Sequence, residues 1–448
     1  MPRKKKAATQ RKTRKREVLT RVTGMHDLLP EDFVWWNQTL DLIKKYASVY
    51  SFQDLSTPVL EKTTLFTRGI GKSTDIVSKE MFSFQDKGGD NLTLRPEWTA
   101  SVARAYVENG MRTWPQPVKL FSVGPLFRRE RPQAGRYRQF HQANFEIIGN
   151  DRPVLDAEVI FLSWNILKKL GLNNVEIQIN SIGCPECQPE YSDVLINYFS
   201  SKKQRLCSDC KRRLKRNPHR ILDCKKESCQ AIAADAPQTV DYLCEDCHNH
   251  FKDVLEYLDE VEVFYNLNPS LVRGLDYYTR TTFEFVTKDE ETGKTSIALG
   301  GGGRYDGLIE QLGGEETGAV GIALGLERIV EELKKQNIAP RKAKAPDVYL
   351  VQLGELAKKR GLKVFQDMVD NNIKVKAIFS KDSIKSQLRQ ADKLRAKLSL
   401  ILGQKEALED SILIRDMESG IQEVAPLKNL AEEVKKRLKS NGVTKKKK

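Results

Sequence analysis

Two strand-like runs, Val118–Phe127 and Arg138–Ile148, flank a loop that carries Arg128, Arg129, Glu130, Arg131, Pro132, Gln133, Gly135 and Arg136. This stretch constrains the fold most, because strand side chains alternate between faces. Arg138, Phe140, Gln142, Asn144 and Glu146 share one face of the second run; Gln139, His141, Ala143, Phe145 and Ile147 share the other. The first face has guanidinium, aromatic, amide and carboxylate groups where a core strand carries apolar ones. It is a poor core and a good floor for a ligand with phosphates, a flat ring and an amino group. Arginine N–H pairs match phosphate oxygens, and Phe140 offers a stacking surface for a base. A salt-bridged surface hairpin is the competing reading.

At 448 residues the chain has room for two or three domains. No apolar run reaches membrane-spanning length, and the charged N-terminus lacks the apolar segment of a secretory signal; a soluble, cytoplasmic protein is expected. The net charge of +15 is carried by the ends. Residues 1–21 hold ten Lys or Arg against one Glu, and residues 435–448 hold eight Lys or Arg and no acid, so the body is left near −2. Basic tails with few apolar residues are expected to be disordered (1–21 and 439–448). They either add salt-sensitive attraction to RNA or serve as solubilising or targeting tails.

Hydrophobic periodicity predicts a helix over 32–50, a strand and Pro-broken turn at Leu92–Thr99, and a helix over 100–109. A further helix over 154–170 and a strand over 175–181 follow. All eight cysteines then fall between 184 and 247, as Cys184-x2-Cys187, Cys207-x2-Cys210, Cys224-x4-Cys229 and Cys244-x2-Cys247. Two such pairs can hold one Zn²⁺ through four thiolates. Three partitions of the pairs into two sites are possible, and the sequence does not choose among them. Inert buried thiols and disulfides, the latter disfavoured in a reducing compartment, are the alternatives. Residues 332–346 are basic, polar and Pro-containing and read as a linker. Beyond it, strand and helix alternate as a small α/β domain, 346–438.

Several motifs carry a family resemblance. The arrangement from Phe127 to Phe140 resembles motif 2 of class II aminoacyl-tRNA synthetases, and Leu55–Glu61, with Pro58 at its centre, resembles motif 1. Arg328, on the first turns of the helix in Ala319–Val330, matches the motif 3 arginine. Gly24–Pro30, Leu271–Arg280 (LVRGLDYYTR) and Leu299–Leu308 (LGGGGRYDGL) are similar to signatures of histidyl-tRNA synthetases. Together they cover nearly the whole chain, from about Thr23 to about Lys436. The loop RPQAGRYRQFHQ resembles the bacterial type.

The resemblance implies an α/β multidomain fold. A class II antiparallel sheet flanked by helices (22–335) would carry a Cys-rich insertion (184–260), followed by an anticodon-binding domain. It implies a homodimer built through motif 1, with ATP, Mg²⁺, L-histidine and tRNA(His) as partners. Arg128 would hold the α-phosphate, Arg136 and Arg328 the γ-phosphate, and Phe140 adenine. Glu97, Thr99 and Gln142 would take the α-ammonium, and Glu146 and Tyr278, with Tyr277 in support, would read the imidazole. Arg273, contacting carboxylate and α-phosphate, would be the principal catalytic residue, with Arg128 beside it. Arg131 and Gln133 would approach the acceptor end of the tRNA, and any zinc would be structural. Trp98 departs from the smaller residue expected between Glu97 and Thr99. A histidine-sensing regulatory subunit of ATP phosphoribosyltransferase shares the fold but lacks the anticodon domain.

Overall fold

The computed structural model describes residues 18–71, 74–131, 135–288, 295–340 and 345–443, without the side chains of 295–296 and 440–443. Gln133, residues 1–17 of the N-terminal tail and residues 444–448 of the C-terminal tail lie outside the described residues. The chain divides into two compact units, Met1–Arg341 and Lys342–Lys448.

The first unit is built on an eight-stranded sheet of β1 (Gln53–Asp54), β2 (Val118–Phe127), β3 (Gln139–Ile148), β4 (Val175–Ser181), β5 (Tyr265–Leu267), β6 (Thr279–Lys288), β7 (Thr295–Arg304) and β8 (Ala319–Gly325). Its spatial order is β1-β2-β3-β8-β7-β6-β4-β5. The central pairs are antiparallel, and the two edge strands β1 and β5 pair in parallel. Such a sheet can bury one face and leave the other to a ligand. The buried face packs Phe145 and Ile147 of β3, Ile177 and Ile179 of β4 and Phe283 and Phe285 of β6. Against them lie the helices Phe33–Val49, Pro153–Leu170 and Leu326–Lys335. At about 1.5–3 kcal/mol for each large apolar side chain, this layer is the main source of rigidity beneath the opposite face.

The expected hairpin is present, with β3 beginning at Gln139; the Arg138 N–H leaves the ladder to donate to the Gly24 carbonyl at 2.7 Å. Of the stretch Leu55–Glu61, only Leu60 and Glu61 are in a strand, part of a small three-stranded sheet. The expected linker begins too early: residues 332–335 complete the helix Leu326–Lys335, anchored by fully buried Leu333. Between β4 and β5 the chain forms short helices, with a core of Tyr191, Leu195, Phe199, Leu206 and Ile221.

The second unit has a five-stranded sheet of β9 (Val348–Gln352), β10 (Val375–Ala377), β11 (Leu398–Leu402), β12 (Ser411–Asp416) and β13 (Gln422–Pro426), in the order β10-β9-β11-β12-β13. Strand β13 is absent from the sequence-based expectation; three of its five residues are Gln, Glu and Pro, and only Ala425 is buried. The last helix, Leu430–Val443, extends past the expected domain end at 438, so residues 439–443 of the expected disordered tail are helical. Its Arg437 pairs with Glu433 and Glu423.

Candidate functional site

The open face of the sheet forms a cleft of about 380 Å³. Glu97, Thr99, Arg128, Arg136, Phe140, Gln142, Arg273, Tyr277, Tyr278 and Arg328 all line it. Alternation along β3 divides the strand as expected: Phe140, Gln142 and Asn144 face the cleft, while Ala143, Phe145 and Ile147 enter the core.

One end of the cleft is acidic. Glu97 sits just before the helix Thr99–Glu108, and its carboxylate accepts the N–H groups of Thr99 (2.7 Å) and Ala100 (2.8 Å). The positive end of a helix favours such an anion, yet burial dominates and raises its pKa. Glu146, on β3, is fully buried. Its Oε1 accepts from the Thr99 hydroxyl at 2.6 Å and Asn144 Nδ2 at 3.1 Å, and its Oε2 accepts from the Tyr305 hydroxyl at 2.6 Å. Desolvation outweighs these three donors and pushes its pKa up to about 7. The paired strand makes room for it: a Cβ on Gly321 would lie 1.5 Å from Glu146 Oε2.

The other end is basic. Arg128 donates through Nε to the Pro96 carbonyl at 2.9 Å, and its guanidinium lies 5.3 Å from the centre of the Phe140 ring. Arg328 is fixed by the carbonyls of Gly135 (2.9 Å) and Ala298 (2.7 Å). Its pKa is lowered, by burial and then by the like charges of Arg136 and Arg128. Three guanidinium groups in mutual repulsion make a strong site for a polyanion. Arg136 is half exposed and held by Glu130 at 3.2 Å. Glu80 and Glu130 also line this end.

Arg273 lies with both ends. Its guanidinium is paired with Glu284 and packs over the Tyr278 ring, 5.7 Å from the ring centre. Its Nε is buried with no hydrogen-bond partner among the described residues. Gly301 on β7 admits it, since a Cβ there would lie 2.5 Å from its terminal nitrogen. The glycine run is thus a sheet strand whose missing side chains clear space for a guanidinium.

Arg304, in the same run, is fully buried and paired with Asp156 and Asp306. Trp98 is 1% exposed and stacked under Arg95, whose guanidinium is 3.7 Å from the ring centre, and it is among the residues that line the cleft. Arg131 is exposed and outside the cleft lining. The sequence reading missed Tyr305 and Glu284. Tyr305 follows Arg304 just beyond the end of the strand, where alternation does not fix its direction, and Glu284 gave no signal either.

The profile of the family described as "Histidyl-tRNA synthetase" matches residues 24–329. The chain belongs to the histidyl-tRNA synthetase family. A second profile, described as "Anticodon binding domain", matches residues 347–437. The chain is 46% identical over 415 residues to the histidine–tRNA ligase of Dehalococcoides mccartyi, covering 93% of this chain and 99% of that one. It is 46% identical over 413 residues to the histidine–tRNA ligase of Halothermothrix orenii, covering 92% and 98%. Among solved structures, apo S. aureus histidyl-tRNA synthetase aligns with a TM-score of 0.77 at 34% identity, over 93% of this chain and all of that one. The open-faced sheet is therefore the class II synthetase sheet.

The insertion brings the eight cysteines together in two groups, Cys184, Cys187, Cys244 and Cys247, and Cys207, Cys210, Cys224 and Cys229. Within each group the sulfurs lie within 4.8 Å of one another. None is in a disulfide, and either group could bind a metal ion. No helix among the described residues is long and apolar enough to cross a membrane.

Proposed function

We propose that the chain, a histidine–tRNA ligase, activates histidine as histidyl-adenylate in this cleft and transfers it to the 3′ end of tRNA(His). The observation that carries the assignment of roles is a buried carboxylate, Glu97, lining one cleft with five arginines, while a second buried carboxylate, Glu146, is hydrogen-bonded to the cleft residues Thr99 and Tyr305.

The first step is attack by the histidine carboxylate on the α-phosphate of ATP, which breaks the α–β phosphoanhydride bond and releases pyrophosphate. Two anions must meet, so the barrier falls when fixed cations hold both and stabilise the charge that develops. Arg273, whose Nε has no hydrogen-bond partner among the described residues, is assigned to the carboxylate and α-phosphate, and Arg128 to the α-phosphate. Arg136 and Arg328 take the γ-phosphate end, and Phe140 stacks on adenine. Glu97 and Gln142 receive the α-ammonium. Thr99 plays a double part, because its hydroxyl already donates to Glu146. Glu146, with Tyr278, reads the imidazole, Tyr277 supports, and Tyr305 joins them by fixing Oε2. A reader of this kind rejects apolar analogues, which would leave a buried carboxylate unpaired. Glu80 and Glu130 suit Mg²⁺, a cation that prefers carboxylate oxygens; with ATP it supplies charge neutralisation of the phosphates.

Further assignments complete the reading. The chain acts as a cytoplasmic homodimer through the segment around Pro58, and Arg131 and Gln133 meet the acceptor end of the tRNA. The cysteines hold structural zinc, 22–335 is the catalytic domain with the insertion at 184–260, and 346–438 reads the anticodon. The test is aminoacylation of a tRNA(His) transcript. Charging with histidine alone is expected; no charging, or charging with another amino acid, would overturn the reading.

A further inference from the structure

Which cysteines share an ion is open in the sequence, and the structure gives a partition with a consequence for the active site. We infer that the chain holds two zinc ions, one in each four-cysteine group, and that the second ion positions Arg273 through Arg220. The inference rests on the reading that the cysteines bind zinc.

Within the first group, Cys184 Sγ is 3.7 Å from Cys187 Sγ and 3.8 Å from Cys244 Sγ, and Cys187 Sγ is 3.8 Å from Cys247 Sγ. In the second, Cys207 Sγ is 3.9 Å from Cys224 Sγ. A tetrahedron of thiolates with zinc–sulfur bonds of about 2.3 Å has edges of about 3.8 Å. A disulfide needs about 2.05 Å. Backbone N–H groups also aim at the sulfurs: Cys184 N at Cys187 Sγ (3.1 Å) and Cys207 N at Cys229 Sγ (3.3 Å). At Gly183, whose φ is +74°, a Cβ would lie 2.6 Å from Cys187 Sγ.

The two groups do different work. The first joins the start of the insertion to the foot of the helix Glu245–Glu260, clasping both ends of the excursion. The second brackets residues 211–223, because Cys207 and Cys210 stand before them and Cys224 and Cys229 after. That segment reaches the catalytic cleft. Arg213 donates to the Arg220 carbonyl at 3.0 Å and to Asp75 at 3.3 Å, and Asn217 donates to Asp276 at 3.3 Å. Arg220, itself in the cleft lining, donates to the Arg273 carbonyl at 3.0 Å. An ion that closes the loop at both ends removes most of its conformational freedom. Arg220 then holds the backbone that carries the Arg273 guanidinium.

The experiment uses the full chain purified without chelator, with zinc counted by mass spectrometry and cobalt(II) exchanged in as a spectroscopic probe. Wild type is expected to hold two ions per chain, with the absorption of tetrahedral cobalt thiolate. Cys247→Ser and Cys229→Ser are each expected to keep one. Cys229→Ser should lose about ten-fold or more in kcat of histidine-dependent pyrophosphate exchange, as loss of positioning does. Arg220→Ala should reproduce that loss with both ions present and with ATP KM little changed, and Arg220→Lys should restore part of it. If Cys229→Ser does not fold, Arg220→Ala with intact zinc decides the coupling alone. Fewer than two ions per wild-type chain, or a single cysteine change that empties both groups, would overturn the two-site assignment. Unchanged exchange in Arg220→Ala would overturn the coupling. Wild-type exchange is measured first, so a chain that activates no histidine contradicts the ligase reading and leaves the metal count standing.

Discussion

Glu146→Gln separates the roles of charge and shape in the imidazole pocket. Glutamine fits without losing a bond: its Oε1 keeps Thr99 and Asn144, and its Nε2 donates to the Tyr305 hydroxyl, which rotates to accept. What changes is the charge. A carboxyl whose pKa is moved from 4.5 to about 7 by burial places a ceiling of about 3 kcal/mol on the penalty for ionising it in the folded state. The sign follows from linkage: the folded value lies above the unfolded one, so the native state binds the proton more tightly. This contribution to stability is complete below about 4.5 and is lost as pH rises through about 7. The variant titrates at neither pH. Its stability relative to wild type should therefore improve by about 2–3 kcal/mol between pH 5 and pH 8, measured by denaturant unfolding of the purified chain. Over the same range its affinity for histidine at pH 8, by calorimetry, should fall ten-fold or more, since a hydrogen bond to a charged acceptor contributes about 1.5–3 kcal/mol. A pH-independent stability difference would refute the desolvation argument. Undiminished histidine affinity would refute the imidazole role.

Arg273→Ala should reduce pyrophosphate exchange by about two orders of magnitude or more, with circular dichroism unchanged; near-normal exchange would remove its catalytic assignment. Gly321→Ala places a methyl group on the Glu146 carboxylate, so histidine KM should rise well before ATP KM does, and equal rises would point to general misfolding. Asp156→Asn leaves Arg304 charged and buried; unfolding experiments should show a loss of about 3–5 kcal/mol, and a loss below about 1 kcal/mol would contradict the pair's structural role.

The hairpin was legible because alternation depends on backbone geometry alone, and its polar face stood out against the apolar face of the same strand. Glu97 was legible as a residue but not as a helix-end anion, because that role exists only once the helix begins at Thr99. The buried pairing of Arg304 was not legible for a similar reason: its partner Asp156 is 148 residues away, and nothing in a Gly-rich run distinguishes an arginine turned to the core from one turned to a ligand. The partition of the cysteines is likewise a long-range property. Sequence order pairs near neighbours, whereas the fold joins the first pair to the last across the whole insertion. Strand β13 has too few apolar residues to announce itself; pairing with β12 makes it a strand.

On the proposed assignment of roles, this cleft activates histidine and no other amino acid. The direct measurement is ATP–pyrophosphate exchange by the wild-type chain with each standard amino acid in turn. Exchange that depends on histidine alone, and that disappears in Arg273→Ala, is the predicted result. Exchange with a different amino acid, or none with histidine, would contradict the account.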